Sequence, residues 1–518
     1  MFSKSYTVVL TALLAGACSA LECSPTAIDK PDVLGATILD IQASEVLNYT
    51  TTGRGPSTDD GGQVTISFCN VTVVHTHPGW GDKIRTQVWL PLDNWNGRFQ
   101  GLGGGGFAVG LDSFYLPYAV AGGFASASTD GGHTEGDSLI MVDLSWTLSS
   151  RNNINWPLLE NFGSKALGDM AEIGKQITKS YYQKPAAYSY FNGCSEGGRQ
   201  GLAVAQAFPD AFDGILAVAP SINVQSFLPS GYWPTQVMNQ QHIYPSACEA
   251  KGFVDAAVNA CDTLDGVKDG IISLPSACKV TAHDFIGQKY TCNGTRHTLT
   301  ASGAKVVQAA WSGTGEDGYF GVNKDADITF VYIQSPCDSN IECANSTNIL
   351  FRTWIQHLVA KDPDFDIIGM TDAEFFNALR YSKANYEDML GANNPDLSLF
   401  RASGGKMVTW VGLADQNIPP EGIIRYYQEV LEKDSKAHDF YRLFEAPGVA
   451  HCFGGLGPIP NGALNQLMDW VEKDVAPDTL HAINGNNNTS RDLCPYPLQQ
   501  RYTGGDPRKA ESFTCAKP

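Results

Sequence analysis

The stretch Gly193-Cys194-Ser195-Glu196-Gly197 decides how the rest of the chain is interpreted. It has the form Gly-x-Ser-x-Gly, in which a serine stands on a sharp turn between a strand and a helix. Small residues are needed beside the serine because such a turn crowds its neighbours. Residues 188–191 before it are aromatic and polar, as a short strand can be, and residues 201–208 have the composition of a helix. These flanks predict a strand–turn–helix unit with Ser195 at the turn.

Strands and helices alternate on both sides of this unit. The predicted elements are strands within 36–92, a buried strand at 123–128, an amphipathic helix at 161–183, buried strands at 214–219, 406–412 and 440–444, and a helix at 462–475. Such alternation is typical of an α/β protein with a doubly wound, mostly parallel sheet.

The pattern changes between residues 222 and 400, where six of the twelve cysteines beyond residue 20 occur among short mixed helices with no run of buried strands. We interpret this segment as a large inserted lid domain. The catalytic domain then comprises residues 21–221 and 401–518, since about 500 residues exceed what one simple core accommodates. The tail after residue 475 is predicted to be irregular and joined by Cys494 and Cys515.

Residues 1–20 resemble a secretory signal peptide, with Lys4 followed by a mostly apolar run at 6–17 and small residues at 18–20. The run is shorter than the ~20 residues that span a bilayer. Twelve cysteines remain, an even set that allows up to six disulfides in an oxidising compartment. Six Asn-x-Ser/Thr sequons are plausible glycan acceptors: Asn48, Asn70, Asn293, Asn345, Asn487 and Asn488. The sequence predicts a secreted glycoprotein.

The net charge of −19 argues against a nucleic-acid partner, because little here would neutralise phosphates. No later stretch has the length and composition of a membrane span. The cysteines do not form Cys-x-x-Cys pairs near histidines, so a structural zinc site is not expected.

A serine hydroxyl becomes a nucleophile when a base takes its proton and a carboxylate orients that base. Hydrolases built on this kind of sheet carry the three groups in the chain order Ser, Asp or Glu, His. Downstream of Ser195, Asp415 and His451 each follow a predicted strand, at the sheet edge where sites gather. The alternative is that Asp415 only forms a turn and that His451 is one of ten ordinary histidines. His133 is interpreted as a structural turn histidine.

Two cysteines are immediate neighbours of these candidates. Cys194 precedes Ser195 and Cys452 follows His451. If they pair, their Cα atoms come within ~6 Å of each other. Such a bond would hold the nucleophile and the base side by side although they are distant in the chain.

The glycine run at 101–106 fits the Gly-x-Gly-x-x-Gly pattern of dinucleotide-binding sites. We discount that function because residues 107–110 run into Pro117 without a helix, and because no acidic residue is expected to end a neighbouring strand. The run is better interpreted as an oxyanion loop, whose small residues let a backbone N–H approach a carbonyl oxygen. The second N–H would come from Glu196, directly after the serine.

Residues 262–271 place three carboxylates, Asp262, Asp265 and Asp269, in one loop. Hard oxygen ligands at this density suit calcium, although the spacing is not that of an EF-hand. The alternative is a solvated acidic turn. Cys261 and Cys278 flank the loop and would close it.

Taken together, these motifs resemble the tannase and feruloyl esterase family. The resemblance rests on Gly-Cys-Ser-Glu-Gly-Gly-Arg-Gln-Gly at 193–201, Asp415, Gly-Val-Ala-His-Cys at 448–452, Asn-Gly-Arg-Phe at 96–99 and Ser-Thr-Asp-Gly-Gly-His at 128–133. It covers nearly the whole chain beyond the signal peptide. It implies an α/β-hydrolase core with a lid domain, a catalytic triad, and a disulfide between the triad's neighbours. The residues are Ser195, Asp415 and His451 for the triad and Cys194 and Cys452 for the disulfide.

The same resemblance assigns the remaining site residues. It implies Gly105 as the loop's oxyanion donor, with Gly104 or Gly106 as alternatives. It implies a structural calcium ion in the lid, with no organic cofactor. The calcium ligands would be the side chains of Asp262, Asp265 and Asp269 and the carbonyls of Val267 and Ile271.

The expected function is that of a secreted serine esterase. By resemblance, the acyl group is ferulate or another hydroxycinnamate on a plant cell-wall polysaccharide such as xylan, or gallate in a tannin. We favour feruloyl esterase, because tannases of this family are typically cut at a basic dipeptide in the lid and this chain has no Lys-Arg pair. A non-catalytic secreted binding protein and a peptidase with the same triad are the alternatives.

Overall fold

The computed structural model describes residues 22–56, 62–133, 142–315, 318–333 and 348–518. The predicted signal peptide, the sequon at Asn345, and the cysteines Cys337 and Cys343 lie outside these ranges.

The described residues include two long strands at the start, followed by shorter strands. They are β1 Thr37–Gly53, β2 Gly62–Thr76, β3 Ile84–Pro91, β4 Arg98–Leu102, β5 Ala125–Thr129, β6 Leu148–Ser150, β7 Asn153–Ile154, β8 Tyr188–Cys194, β9 Gly214–Val218, β10 Lys289–Cys292, β11 Thr295–Thr298, β12 Lys406–Gly412, β13 Tyr441–Ala446, β14 Ile459–Pro460, β15 Leu480–Asn484, β16 Thr489–Leu493, β17 Gln499–Tyr502 and β18 Phe513–Ala516.

The helices fall between these strands. They are α1 Asp112–Ala121, α2 Trp156–Glu160, α3 Ala166–Tyr182, α4 Glu196–Ala207, α5 Val224–Gly231, α6 Trp233–Gln241, α7 Ala247–Cys261, α8 Ala301–Ser312, α9 Ile349–Trp354, α10 Asp372–Leu390, α11 Ser398–Ala402, α12 Glu421–Lys433 and α13 Ala463–Lys473. One π-helical turn joins α2 to α3, so the helix predicted at 161–183 begins earlier, at Trp156.

Nine strands form the main sheet, in the order β1-β2-β3-β5-β4-β8-β9-β12-β13. The first three strands are antiparallel, and β3 also pairs antiparallel with β5. From β5 to β13 every pairing is parallel. The predicted α/β class is therefore confirmed, and the mostly parallel part of the sheet contains the strand before Ser195.

Both faces of the parallel region are covered, as β9 illustrates. Ile215 and Ala217 point into a core shared with α3, α4 and α12, whereas Leu216 and Val218 belong to a second core with α1 and α13. All four side chains are fully buried. Burying one such aliphatic side chain contributes roughly 1.5–3 kcal/mol, so the strand is anchored from two sides, as parallel strands generally are.

A helix does follow the glycine run, contrary to our expectation. It is α1, and Pro117 lies inside it. The ring removes one helical hydrogen bond, but Leu116 and Val120 are buried on the sheet and hold the helix in place. The second ground for excluding a dinucleotide site was also wrong, because Asp130 directly follows β5, the neighbour of β4.

The tail after residue 475 is not irregular. Its strands β15 and β16 form a small antiparallel sheet with β14, which lies before the tail. Strand β17 pairs with β18, and Cys494 and Cys515 form a disulfide. These strands have two to five residues each, too few for a convincing alternation in the sequence. In β15, however, Leu480, Ala482 and Asn484 are buried, which is the expected period of two.

Residues 219–405, called the insertion below, leave the sheet after β9 and return to it at β12. These two strands are adjacent and parallel. The insertion contains α5 to α11 and the largely exposed hairpin β10–β11. Cys248–Cys292 and Cys261–Cys278 are disulfides within it. In the ranges that the structure describes, no helix has both the length and the apolarity needed to cross a bilayer.

Candidate active site

Ser195 stands between the end of β8 and the start of α4, with φ 67° and ψ −120°. A positive φ is strained for any residue with a side chain and costs about 1–3 kcal/mol. The turn is held by the Ser195 N–H, which donates to the Val218 carbonyl at 3.0 Å, and by the Ser195 carbonyl, which accepts from the N–H groups of Arg199 and Ser221. Ser195 is partly exposed, while its neighbours on both sides are buried.

The glycines around the serine are required by close backbone contact. A Cβ on Gly193 would lie 2.5 Å from the Gly197 backbone, and one on Gly198 would lie 2.3 Å from the Val218 carbonyl oxygen. Real Cβ atoms do not come this close to backbone, so larger residues would push α4 away from β8 and β9. The strand–turn–helix unit thus has the geometry that the sequence predicted.

Asp415 and His451 lie on the loops that follow β12 and β13. His451 Nδ1 is 2.8 Å from Asp415 Oδ2. The other carboxylate oxygen of Asp415 accepts the N–H groups of Asn417 at 2.8 Å and Ile418 at 2.9 Å. The side chain of Asp415 is 1 % exposed and that of His451 12 %. This arrangement fixes the imidazole ring through Nδ1 and leaves Nε2 as the nitrogen that Asp415 does not engage.

A disulfide joins Cys194 to Cys452, whose Cα atoms are 5.9 Å apart although the two residues are separated by 258 positions in the chain. It connects the end of β8 directly to the loop that carries His451. Ser195 and His451 are the residues next to the two cysteines, so this disulfide links their loops although they are far apart in the chain.

The insertion supports the loop that carries Asp415. Tyr332 donates its hydroxyl to the Asn417 carbonyl at 2.9 Å, and Asn323 Nδ2 donates to the Leu413 carbonyl at 2.8 Å. From within the loop, Gln416 Oε1 accepts the His451 N–H at 3.0 Å. Contacts from two parts of the chain therefore hold this edge of the site.

The glycine loop, residues 103–110, packs against the serine turn. A Cβ on Gly103 would lie 2.6 Å from Gly197 Cα, and the Gly103 N–H donates to the Asn192 carbonyl at 3.1 Å. The Gly104 N–H donates to Gln200 Oε1 at 3.0 Å, inside the core. The glycines therefore serve close approach to the turn, which explains the run without a bound dinucleotide.

Gly105, the expected oxyanion donor, lies at the tip of this loop. Its N–H contacts the Ala108 carbonyl at 3.2 Å, and the Ala108 N–H returns a bond to the Gly105 carbonyl at 3.0 Å. The first of these distances is at the long end for such bonds. Of the two alternatives, Gly104 is the poorer one because its N–H is already bonded to Gln200.

Glu196, the other expected donor, begins α4, where the first N–H groups of a helix have no partner within the helix. Its side chain is buried, which raises the pKa of the carboxyl, although Arg199 opposes that shift. Arg199 Nε lies 2.9 Å from both carboxylate oxygens, and Nη2 donates to the Phe162 carbonyl at 2.8 Å. The pair ties the helix after the serine to the π-helical turn before α3.

His133 helps to hold the glycine loop rather than joining the candidate triad. Its Nε2 is 3.1 Å from the Phe107 carbonyl, and its ring stacks on Trp146 with centroids 3.7 Å apart. Burial lowers the pKa of His133 to about 4, so the ring is neutral at pH 7 and Nε2 is the donor. These contacts agree with a structural role.

The acidic loop contributes Asp265, Asp269 and Ile271 to the lining of a cavity of about 20 Å³, and residues outside the loop, Arg491 among them, form the rest. Asp262 is buried, and its Oδ1 accepts the N–H groups of Asp269 and Gly270, both at 3.0 Å. The disulfide Cys261–Cys278 closes the loop.

The charges of this loop fit a cation. Burial and the neighbouring carboxylates of Asp265 and Asp262 raise the pKa of Asp269 to about 6, and Arg491, 3.4 Å away, only partly opposes the shift. Asp265 Oδ1 accepts the Val267 N–H at 2.9 Å, and Asp269 Oδ1 accepts the Ile271 N–H at 3.3 Å. The chain therefore folds tightly around excess negative charge, which a calcium ion would neutralise.

Elsewhere in the described residues, three side chains of metal-ligating type converge: His75, His77 and Asp169. The three carboxylates of the acidic loop do not converge in this way. His77 Nδ1 is 2.6 Å from Asp82 Oδ2, and its Nε2 is 2.9 Å from Asp169 Oδ2. Lys165 occupies the other oxygen of Asp169 at 2.5 Å. Both nitrogens of His77 and both oxygens of Asp169 already have partners, and of the three residues only His75 has ring nitrogens without a hydrogen-bond partner. A single uncommitted ligand does not make a metal site, so we assign this group no metal.

Sequence reasoning missed Arg199, Gln200 and Gln416. All three follow a candidate catalytic residue within five positions, and Arg199 and Gln200 also lie in the motif at 193–201. Their roles depend on partners from distant segments, and one sequence does not reveal such contacts.

Comparison with known proteins places this geometry in a family. The family model described as tannase and feruloyl esterase matches residues 69–516. A probable feruloyl esterase of Arthroderma benhamiae is 39 % identical over 508 residues, covering 95 % of this chain and 93 % of its own. A tannase of Aspergillus oryzae is 28 % identical, covering 88 % of this chain and 86 % of its own.

Solved structures agree with the sequence matches. The tannin acyl hydrolase from Aspergillus niger superposes with a TM-score of 0.84 at 27 % identity, covering 96 % of this chain and 95 % of its own. Feruloyl esterase B from Aspergillus oryzae superposes with a TM-score of 0.76 at 26 % identity, covering 94 % and 97 %.

Proposed function

Because the chain belongs to the tannase and feruloyl esterase family and is an esterase, we propose that it cleaves phenolic carboxylic esters with Ser195 as the nucleophile. The observation that carries this proposal is the Cys194–Cys452 disulfide, since it joins the immediate neighbours of the hydroxyl and of its candidate base. Few other devices would bring together two loops so far apart in the chain.

In the first half of the reaction, His451 Nε2 takes the proton from Ser195 Oγ as the oxygen bonds to the ester carbonyl carbon. The carbonyl oxygen becomes an oxyanion. When it collapses, the bond to the alcohol breaks, and the alcohol leaves with the proton from His451. Ser195 then carries the acyl group.

In the second half, His451 takes a proton from water as the water oxygen bonds to the acyl carbon. The bond from this carbon to Ser195 Oγ then breaks, His451 returns the proton to Oγ, and the acid leaves. Asp415 keeps the proton on Nδ1 and stabilises the charged ring in both halves. The N–H groups of Gly105 and Glu196 stabilise the oxyanion. For Gly105 this requires its N–H to be shared with, or released from, the Ala108 carbonyl.

We propose a hydroxycinnamate such as ferulate as the preferred acyl group, esterified to plant cell-wall polysaccharide. The 39 % identity to a probable feruloyl esterase, against 28 % to a tannase, supports this choice. Gallate is the second candidate, because the tannin acyl hydrolase gives the higher TM-score, 0.84 against 0.76.

The test compares kcat/KM on methyl ferulate, methyl caffeate and methyl gallate, with Ser195→Ala as the control. A preference for ferulate or caffeate, abolished in the variant, supports the proposal. A strong preference for gallate would replace the acyl group but leave the mechanism standing. Turnover by the variant at the wild-type rate would contradict the mechanism, and cleavage of peptide amides would indicate a peptidase.

We propose that the part of the insertion between about residues 222 and 400 is a lid domain. The α/β-hydrolase core then comprises residues 21–221 and 401–518. Its contacts to the Asp415 loop through Tyr332 and Asn323 support this division. A domain with this position would shape the acyl pocket, which connects substrate choice to the insertion.

We propose that the acidic loop holds a structural calcium ion through the side chains of Asp262, Asp265 and Asp269 and the carbonyls of Val267 and Ile271. Calcium supplies charge neutralisation here and takes no part in the chemistry. Chelation by EGTA should lower the melting temperature, and excess calcium should restore it. An Asp269→Asn variant should lose most of that response, whereas an unchanged melting curve in wild type would contradict the proposal.

We propose that the protein is exported and glycosylated. The five disulfides of the described residues support an oxidising compartment. Asn48, Asn293, Asn487 and Asn488 are exposed, whereas the side-chain oxygen of Asn70 on β2 is buried. Secretion from a eukaryotic host, followed by glycosidase treatment and mass spectrometry, should find glycans at exposed sequons and none at Asn70.

A further inference from the structure

Gln200 lies in α4, five residues after Ser195, and its side chain is fully buried. Its carboxamide joins both ends of the glycine loop: Oε1 accepts the Gly104 N–H at 3.0 Å, and Nε2 donates to the Val109 carbonyl at 3.1 Å. We propose that Gln200 is a positioning residue that fixes the oxyanion loop relative to the nucleophile. This inference rests on the proposed ester chemistry at Ser195.

A carboxamide is suited to this task because one flat group offers an acceptor and a donor side by side. The loop presents the complementary pair, an N–H at Gly104 and a carbonyl at Val109, so only one orientation of the amide satisfies both. In a buried setting, each backbone group left without its partner would cost about 1–3 kcal/mol. The loop base is therefore held in one position.

The position of the loop tip depends on the position of the loop base. Gly105 and Ala108 exchange two backbone hydrogen bonds, and a Cβ on Gly104 would lie 2.0 Å from the Ala108 carbonyl oxygen. With so little free space, the tip cannot shift independently of Gly104 and Val109. The position of the Gly105 N–H is thus set by Gln200.

Ser195, the Glu196 N–H and Gln200 all belong to the start of α4. The start of the helix therefore positions the nucleophile and one oxyanion donor directly. The Gln200 carboxamide positions the other donor. One rigid element then sets all three distances that matter when negative charge develops on the substrate oxygen.

Such a role predicts a selective kinetic defect. A displacement of about 1 Å in a reacting group can cost ~10²-fold in rate, and loss of one oxyanion donor costs about 10²–10³-fold in kcat. Ground-state binding of the ester does not use the oxyanion contact. We therefore expect kcat to fall by about 10- to 100-fold in Gln200→Met while KM stays nearly constant.

The matched control is Gln236→Met. Gln236 in α6 is also fully buried, and it donates to the Met370 carbonyl at 2.7 Å. Both substitutions remove a buried carboxamide and keep a side chain of similar length. The control should lose stability to a similar extent and keep its kcat.

The decisive measurement uses a trifluoromethyl ketone analogue of the substrate in Gln200→Met, Gln236→Met and wild type. In this complex Ser195 Oγ bonds to the ketone carbon, the proton moves to His451, and the ketone oxygen becomes an oxyanion. Its inhibition constant should weaken in Gln200→Met by the same factor as kcat/KM. Inhibition by the free product acid should not change.

The inference is overturned if Gln200→Met loses no more kcat than Gln236→Met, if KM rises with kcat intact, or if the ketone binds both variants equally.

Should Gln200→Met fail to fold, Gln200→Glu provides a second test. Once protonated, the new carboxyl has a donor for Val109, so its kcat relative to wild type should rise as pH falls. A ratio that stays low at every pH would contradict the inference.

Failure of the proposed function is separate from failure of this inference. If the proposed function were wrong, Ser195→Ala would turn over the ester at the wild-type rate. The Gln200 comparison, in contrast, is always made relative to an active wild type.

Discussion

Asp415 has little freedom, because one oxygen accepts two backbone N–H groups and the other meets His451. An asparagine in its place would keep its oxygen toward the backbone donors and turn its NH₂ toward the ring. His451 would then have to accept at Nδ1 and carry its proton on Nε2, where it cannot take a proton from Ser195.

For Asp415→Asn we therefore expect kcat to fall by about 10⁴-fold at pH 7, as loss of the orienting acid does in serine hydrolases. The melting temperature should change little, since shape and hydrogen-bond capacity are nearly kept. Steady-state rates on a methyl ester, with thermal unfolding as the control, check this. A decrease smaller than tenfold would argue against Asp415 as the orienting acid.

Glu445 in β13 gives a prediction for pH dependence. Burial, helped by the nearby charge of Glu421, raises its pKa from 4.5 to about 7. The folded state therefore holds this proton more tightly than the unfolded chain. The stability that Glu445 contributes is complete below pH 4.5 and is lost as pH rises to about 7.

Glu445→Gln should accordingly be as stable as wild type near pH 4 and more stable near pH 8. The expected difference is roughly 1–3 kcal/mol, because one pKa unit corresponds to about 1.4 kcal/mol. Urea unfolding at both pH values measures it. Equal stabilities at pH 8 would show that Glu445 ionises without cost in the folded protein.

At this scale the sequence predicted the residues whose chemistry is visible in their type and order: Ser195, Asp415 and His451. The structure shows the contact between Asp415 and His451 and the disulfide beside Ser195, while the catalytic roles of the three residues stay predictions. Gln200 could not be predicted, because its importance lies in two backbone groups about 90 residues upstream, at Gly104 and Val109.

Among the elements, we expect the disulfide between the end of β8 and the loop after β13 to affect catalysis as well as stability. Replacing Cys194 and Cys452 by serine should cost stability, typically about 2–4 kcal/mol for a native disulfide. It should also lower kcat at least tenfold, because the loop of His451 loses its link to the serine turn.

The pair Cys248 and Cys292 is the matched control, since it also is a disulfide but lies within the insertion, between α7 and β10. Its serine variant should lose stability and keep kcat when assayed well below its melting temperature. If the Cys194/Cys452 variant also kept full kcat, the disulfide would be a structural feature only.

Element prediction succeeded where the pattern was long and buried. The strands β5, β9, β12 and β13 were found to within a few residues. The sequence of β9 is continuously apolar, as expected for a strand covered on both faces, whereas β5 consists of small residues and β13 contains Arg442 and Glu445. Helix α1 was missed because Pro117 is a strong local breaker, yet buried neighbours overrode it. The strands of the tail were missed because they are very short.

For the whole molecule, the sequence predicted the α/β class and an interruption between β9 and β12. It could not predict that side chains of the inserted segment bind the loop that contains Asp415. The Tyr332 hydroxyl and the Asn323 amide reach loop carbonyls beside Asp415. Such contacts join segments about 85–90 residues apart, and neither periodicity nor motif spacing records them.

The central claim is that a hydroxyl, an imidazole and a carboxylate from three loops act as one unit. Stoichiometric labelling with a fluorophosphonate, followed by peptide mass spectrometry, tests it most directly. We predict one label per molecule, on Ser195, with labelling greatly slowed in His451→Ala of equal stability. Folded wild-type protein that takes no label, or takes it at another serine, would contradict the claim and favour a non-catalytic binding protein or a different site.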